Sequence, residues 1–359
     1  MSSQRFRFDR TPGKRPRHSR TFIHRVTGLI IASGLLFTLG CRQSDQPPVV
    51  TAADQARADQ LAVRVQLNWY PETEHGGIYQ AQADGTYAAA GLNVEIRPGG
   101  RATPVAPELD LGRCHFAITG ADDVIQFRRQ GSKVVAVLAA VQNHPRCIMV
   151  QAASPVQSFD DFATSGMTLQ CQPGRAFLDF LEQRGYLKQV KQVPYHGSVA
   201  SLVTDPTIAI QAYSFAEPLL AKQQGVQTRQ LMVSDLGWNP YSSVLVTTET
   251  LIEEQPELVR KFVQATRQGW QHYFDNPALG NAAVLDANQH GMTAEALQFG
   301  VEQMKPLAVP QDMTSQDIGM MTLDRWKTLV EQMDSLDPQR AGKVRPDDCF
   351  TTAFLGDEI

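Results

Sequence analysis

Short apolar runs recur along the chain, VRVQLNW, NVEIR, CHFAIT, VVAVLAAV, CIMVQ, MTLQC, TIAIQAY and SVLVTT, and alternate with segments of helical pattern. A run of that length is a strand, and a strand followed by a helix returns to its own sheet through a crossover, so the alternation dictates α/β layers. The clearest helices lie late. In PELVRKFVQATRQGWQHYF, Leu258, Phe262, Thr266, Trp270 and Phe274 fall at four-residue steps behind Pro256, which makes one apolar stripe for a core. TLDRWKTLVEQM likewise puts Leu323, Trp326, Leu329, Val330 and Met333 on one face behind the cap candidate Thr322. These aromatics are core residues by pattern, not ligand contacts. With 359 residues, 42% hydrophobic and 19% charged, the chain has enough apolar material for a two-lobed body.

The charge is unevenly spread. Eight Lys/Arg against Asp9 give residues 1–40 a charge of +7, which leaves −11 for the remainder of a chain whose net charge is −4. So acidic a body lacks the clustered cations that nucleic-acid backbones require, and nucleic-acid binding is excluded. The basic run ends at His24-Arg25, and Val26 to Gly40 then carries no charge before Cys41. A spanning helix needs roughly 20 apolar residues, so the shorter stretch reads as the core of a cleaved export signal over 1–40. Thr38-Leu39-Gly40-Cys41 resembles the bacterial lipobox, with Thr38 where Leu is more usual. Acylation of Cys41 would tether the protein to a membrane without spanning it. Residues 41–61, poor in large apolar side chains and broken by Pro47-Pro48, read as the flexible tether. The expected location is therefore periplasmic or cell-surface. Cys114, Cys147, Cys171 and Cys349 could pair in three ways in an oxidising compartment; free buried thiols are the preferred reading.

Reaction machinery is missing from the sequence: there is no GxSxG, GxxxxGK[ST], GxGxxG, HExxH or CxxC. His75 stands near Glu72 and Glu74, but that spacing does not set three metal ligands on one helix face, and neither metal nor cofactor is expected. The informative stretch is LNWYPETEHGGIYQAQADGTYAAAGLNVEIRPGG, residues 67–100. A strand ends at Asn68-Trp69, a polar turn with Pro71 follows, and Gly76-Gly77 opens a helix through Ile78, Tyr79 and Ala81. Strand ends and helix starts face the crevice where α/β proteins bind ligands. Trp69, His75 and Tyr79 then either line that mouth, or Trp69 packs under the helix while His75 caps it.

The pattern LNWYPETEHGGIYQAQADGTYAAAGLNVEI resembles the opening of the substrate-binding proteins of ABC importers for aliphatic sulfonates, nitrate and thiamine-pyrimidine precursors, a family shared with the fungal thiamine-pyrimidine synthase. The similarity continues through GRCHFAITGADDVIQFRRQG and NPYSSVLVTTETLIEEQPELVRKF and spans nearly all of 62–350; its NW(x)P(x4)HGG(x)Y segment is most similar to the thiamine-pyrimidine branch. The resemblance implies a type II periplasmic-binding-protein fold of two α/β lobes joined by two crossing strands, which close on a ligand by a hinge motion. Lobe I is expected at 62–150 and 243–359, lobe II at 151–242. The implied ligand contacts are Asn68, Trp69, His75, Tyr79, Thr119, Gly120 and Asp122 from lobe I, and Gly174, Arg175, Tyr213 and Glu217 from lobe II, with Asn239 and Tyr241 at the crossing. In CQPGRAF, backbone N–H groups and the Arg175 guanidinium are placed to take an anionic or carbonyl group, unless Arg175 is a solvated helix residue. A carboxylate beside aromatic faces suits a flat, protonatable heterocycle such as an aminopyrimidine, whereas a sulfonate site would want mostly donors. The implied partners are a small-molecule ligand and ABC permease subunits, for a monomeric receptor.

The rival class within the same resemblance is the synthase. There a lysine after the strand holds pyridoxal phosphate, a histidine four residues on supplies ring atoms, and a cysteine-rich run handles iron. This chain has Thr119 and Asp123 at the first two places, and Asn239-Pro240-Tyr241-Ser242-Ser243 at the third. Without the amine there is no Schiff base, and without thiolates no soft iron site. A non-catalytic receptor is expected. A sensor or scaffold lipoprotein that binds a partner instead of a solute is the third alternative.

Overall fold

The computed structural model describes residues 60–356. The export signal expected over 1–40, the acylation site Cys41 and the tether up to residue 59 lie outside the described residues. Among the described residues ten strands form, β1 (Leu61–Gln66), β2 (Leu92–Arg97), β3 (Phe116–Thr119), β4 (Val134–Val141), β5 (Arg146–Gln151), β6 (Thr168–Cys171), β7 (Lys191–Pro194), β8 (Ile208–Tyr213), β9 (Thr228–Met232) and β10 (Ser242–Thr248). Each apolar run of the sequence became a strand. The two without a run, β7 and β9, are the outer strands of one sheet, and most of their residues are only half-buried or exposed. An edge strand covered on one side needs no continuous apolar run to hold it.

The strands make two five-stranded mixed sheets, ordered β2-β1-β3-β10-β4 and β7-β6-β8-β5-β9. The sheets share one plan. Three parallel strands are followed by an antiparallel fourth, β10 in the first sheet and β5 in the second, which pairs on its far side with an outer strand. β10 reaches the first sheet only after the chain has built the second, so the backbone crosses between sheets twice, at residues 142–145 and 233–241. β5 pairs within the second sheet, so the first crossing precedes Arg146 instead of following residue 150.

The crossings are tied to each other. The Asn239 side chain accepts from the His144 backbone N–H at 2.7 Å and donates to Asn143 Oδ1 at 2.9 Å. Arg325, from the helix Leu323–Leu336, donates to the carbonyls of Gln142 (2.7 Å) and Asn239 (2.8 Å), and lies 3.9 Å over the Tyr241 ring. Thr322 caps that helix by accepting from the Arg325 N–H, and Trp326, Leu329, Val330 and Met333 are buried as their spacing predicts. Cys114, Cys147, Cys171 and Cys349 are buried free thiols.

The helix Gly76–Ala83 lies across the long helix Pro256–Asp275, whose stripe Leu258, Phe262, Thr266, Trp270 and Phe274 is buried. Glycines allow the approach. A Cβ on Gly269 would overlap the carbonyl oxygen of Gly77 and the methyl of Ala81, and Cβ atoms on Gly76 and Gly77 would enter the rings of Tyr273 and Trp270. The helix start therefore rests on aromatic core and does not open toward a crevice. Because the obstacle at Gly269 is backbone, it has little room to yield. We expect Gly269→Ala to destabilise the protein by about 1–3 kcal/mol through overpacking, read as a lowered melting temperature; an unchanged melting temperature would contradict this packing.

Candidate functional site

The cleft between the sheets is built where β1, β3 and β8 end and β5 begins. After β1 the chain runs through Asn68 and Trp69 into a turn of 3-10 helix over Thr73–His75, whose three residues are all buried. His75 is fully buried and does not reach the mouth that its position in the sequence suggested. Its Nδ1 accepts from the Glu72 backbone N–H at 3.3 Å, which leaves the proton on Nε2 to be donated to Asn68 Oδ1 at 2.9 Å. His75 thus orients Asn68 and is not itself a contact surface. Burial drives its pKa down to about 3, so it is the neutral imidazole at ordinary pH. Trp69 stays half-exposed with its ring edge-on to Tyr70, and Tyr79 is buried with its hydroxyl unpartnered.

From β3, Thr119 is buried and donates to Asp123 Oδ2 at 3.1 Å. Gly120 precedes the helix Ala121–Arg129, whose first turn carries Asp122 and Asp123. Asp122 is buried with Oδ1 unpartnered, and burial together with the neighbouring Asp123 charge raises its pKa to about 6. Ser243, one residue before the β10 position that pairs with Thr119, also buries an unpartnered hydroxyl, at a backbone φ of 47°.

The second sheet supplies the opposing wall. Arg175, at the start of the helix Ala176–Gln183, reaches across to Asp123 with Nη1 3.2 Å from Oδ1. It is committed to a carboxylate and is not a solvated helix residue. Gly174 is exposed in a left-handed turn (φ 76°) and brings no side chain to the cleft. Glu217 accepts from the Tyr213 N–H at 2.8 Å and from the Tyr195 hydroxyl at 3.3 Å. Arg146, the first residue of β5, lies with its guanidinium carbon 4.1 Å over the Tyr213 ring and 5.1 Å over Phe177. Asn239 and Tyr241 do not join this group. Both ends of the Asn239 amide are used in tying the crossings, and the Tyr241 hydroxyl accepts from the Thr322 N–H while its ring supports Arg325.

The two walls act on each other electrostatically. Glu74 feels Arg146, Glu217 and Arg175 from the opposite sheet, and burial, the dominant effect, raises its pKa to about 7. Burial first, then Glu74 and Glu217, holds Glu72 well above the usual carboxylate range, and burial raises Glu217 too. Beyond the cleft, Gln223 donates to Glu295 at 2.8 Å and Arg101 donates to the His196 carbonyl, so the walls also meet at the rim. Asn68, Thr119, Asp122, Arg175, Tyr213 and Glu217 are thus linked through one set of contacts, and neither Trp69, packed on Tyr70, nor Tyr79, in the core of the first sheet, is joined to it. Tyr195 and Arg146 escaped the sequence reading, and Glu72 and Glu74 entered it only as rejected metal ligands. The one signal for Arg146 was a lone cation opening the apolar strand RCIMV. No group of three or more His, Cys, Asp or Glu with metal-binding geometry occurs among the described residues.

Two mixed sheets of common plan, joined by two crossings with polar groups facing each other between them, define a two-lobed binding-protein fold. The sequence pattern described as NMT1/THI5 like matches residues 72–279, and the chain belongs to that family. The chain is 26% identical over 238 residues to the riboflavin-binding protein RibY of Chloroflexus aurantiacus, covering 64% of this chain and 67% of that one. It is 25% identical over 325 residues to the formylaminopyrimidine-binding protein of Halalkalibacterium halodurans, covering 87% and 94%. The fold matches the periplasmic aliphatic sulphonate binding protein SsuA of Escherichia coli with a TM-score of 0.64 at 14% identity, over 80% of this chain and 91% of that one.

The raised Glu74 pKa has a stability consequence of definite sign. Between pH 4.5 and about 7 the folded state holds a proton on Glu74 that the unfolded chain has released, so this group's contribution is lost as pH rises through that window. Glu74→Gln removes the titration. The melting temperature of the variant should rise relative to the parent as pH goes from 4.5 to 7; a constant difference would show that Glu74 titrates normally.

Proposed function

We propose that the chain is the extracytoplasmic solute receptor of an ABC importer, and that it binds a small, flat, nitrogen-containing heterocycle, a thiamine-pyrimidine precursor or a similar ring, between its two lobes. One observation carries the reading: both walls of the cleft bury polar atoms that have no protein partner, Asp122 Oδ1 from one side and Nε of Arg146 and Arg175 from the other. Each unsatisfied buried group costs about 1–3 kcal/mol, a penalty that a ligand with matching donors and acceptors removes. Tyr213 and the half-exposed Trp69 add aromatic surface for a planar ring, and carboxyls with raised pKa values suit a protonatable one. Relatives named for riboflavin and for a formylaminopyrimidine lend support, since both ligands are flat heterocycles.

We read the protein as a receptor and not a synthase. Position 119 offers a hydroxyl already engaged with Asp123, where Schiff-base chemistry needs an amine, and 239–243 offers no thiolate. Acylation at Cys41 would hold this receptor at the membrane beside its permease. Labelled fatty acid should enter the protein in a bacterial host and should not enter Cys41→Ser; equal labelling would remove the anchor from the proposal.

Ligand class is tested by thermal shift of the purified protein against thiamine, its formylated and hydroxymethyl pyrimidine precursors, riboflavin, taurine, an alkanesulfonate and nitrate. A ligand at about 100 times its Kd stabilises the folded state by roughly 2.7 kcal/mol. We expect a shift with a heterocycle and none with taurine or nitrate. Trp69→Ala and Glu217→Gln should each weaken the binding; unchanged affinity in both, with the fold intact, would move the site elsewhere.

A further inference from the structure

Arg146 differs from the other cation of the cleft, Arg175. It is about nine-tenths buried, with 9% of its surface exposed, yet its guanidinium makes no hydrogen bond and no ion pair with any described residue. Arg175, by contrast, is bound to Asp123 from the opposite wall. Its Nε is buried without a partner and its terminal nitrogens make no bond to the chain, so the donors of a rigid fork are left for a group from outside the chain. Its place is well defined. The Arg146 backbone pairs with Tyr213 in the β-ladder and its N–H donates to His144 Nδ1, while the Tyr213 and Phe177 rings support the guanidinium. A guanidinium held over a ring is pre-organised, presenting its planar fork with little rotamer freedom left to lose.

The charges facing Arg146 identify what it would take. Glu74, Glu217 and Asp122 all act on it from around the cleft. Burial already pushes Glu74, Glu217 and Asp122 toward their protonated forms, and it would penalise a fully anionic ligand group in the same place. A neutral acceptor edge meets the same guanidinium without that penalty.

Resting on the receptor reading above, we propose that Arg146 is the specificity-determining residue of the cleft, and that it donates two N–H groups to adjacent acceptors on an uncharged planar ring, a ring carbonyl beside a ring nitrogen. Such an edge matches the guanidinium fork, whereas an aminopyrimidine without a carbonyl offers it only a single ring nitrogen. Among flat heterocycles, Arg146 therefore selects those bearing a ring carbonyl.

Isothermal titration of the parent protein, Arg146→Met and Arg146→Lys tests this with three probes: riboflavin, whose ring carries the carbonyl–nitrogen edge, 4-amino-5-hydroxymethyl-2-methylpyrimidine, which lacks it, and an alkanesulfonate. The parent should prefer riboflavin. Arg146→Met should weaken riboflavin binding roughly ten- to a hundred-fold, the range for hydrogen bonds to a charged group. Arg146→Lys keeps the cation among the carboxyls, and hence the fold, but not the paired donors, so it should still lose about tenfold. Riboflavin affinity unchanged in the lysine variant, or a parent that prefers the carbonyl-free pyrimidine or the sulfonate, would overturn the assignment while leaving a receptor. A parent that binds none of the probes in the wider panel would instead overturn the receptor reading, and this inference with it.

Discussion

The cleft exists because two crossings of the backbone are held side by side, and one amide does most of the holding. Asn239 bridges its own crossing to the other through His144 and Asn143, while Arg325 clamps the carbonyls of Gln142 and Asn239 from the helix behind. Three of these bonds join a side chain to backbone and the fourth joins two side chains, all in partly buried surroundings, where an unmade bond costs more than a made one contributes. They fix where the two sheets begin relative to each other. Arg146 starts three residues after Asn143, and β10 starts three after Asn239, so the groups that face across the cleft are placed by the same tie. A hinge that closes on a ligand must bend at such short connections while keeping their mutual spacing, and a clamp on both segments meets that requirement.

Charge is the second constraint. Glu72, Glu74, Glu217, Asp122 and Asp123 converge on a space served by Arg146 and Arg175, and burial pushes the pKa values of the first four upward. Only Asp123 obtains a guanidinium within ion-pair distance, and it does so across the cleft, which also links the lobes. Neutral carboxyls are donors as well as acceptors, so the same burial that raises their pKa values equips the walls to hydrogen-bond a polar, uncharged ring from several directions.

Much of the architecture was legible in the sequence because burial leaves periodic marks. The apolar runs became strands, and the stripes beginning at Leu258 and Trp326 became buried helix faces, since each needs only local spacing to be recognised. The half-covered edges β7 and β9 leave no such mark. Site residues were legible by neighbourhood and not by role. Thr119, Asp122, Tyr213 and Glu217 lie at strand ends, which topology alone brings to the cleft. His75, Asn239 and Tyr241 lie equally near it, but their polar atoms are engaged by Asn68, by the crossing strands and by Thr322, partners 7 to 96 residues away. Arg146 was missed for the complementary reason: what distinguishes it is the lack of a partner, and only the folded arrangement shows that.

The match to a sulphonate binding protein at 14% identity and the relatives named for riboflavin and a formylaminopyrimidine define what varies in such a scaffold. Sheet order, crossings and close helix packing depend on pattern and volume, which many sequences satisfy, whereas ligand choice depends on a few groups placed at the ends of those elements. In this chain those groups are unusually acid-rich for a pocket that would hold a strong anion. The cations present are one arginine spent on Asp123 and one resting on Tyr213 amid carboxyls. A sulfonate or nitrate would have to outcompete Asp123 for the first or displace the balance around the second. A neutral heterocycle has to do neither, which is why the proposed ligand class fits the cleft's own charge balance.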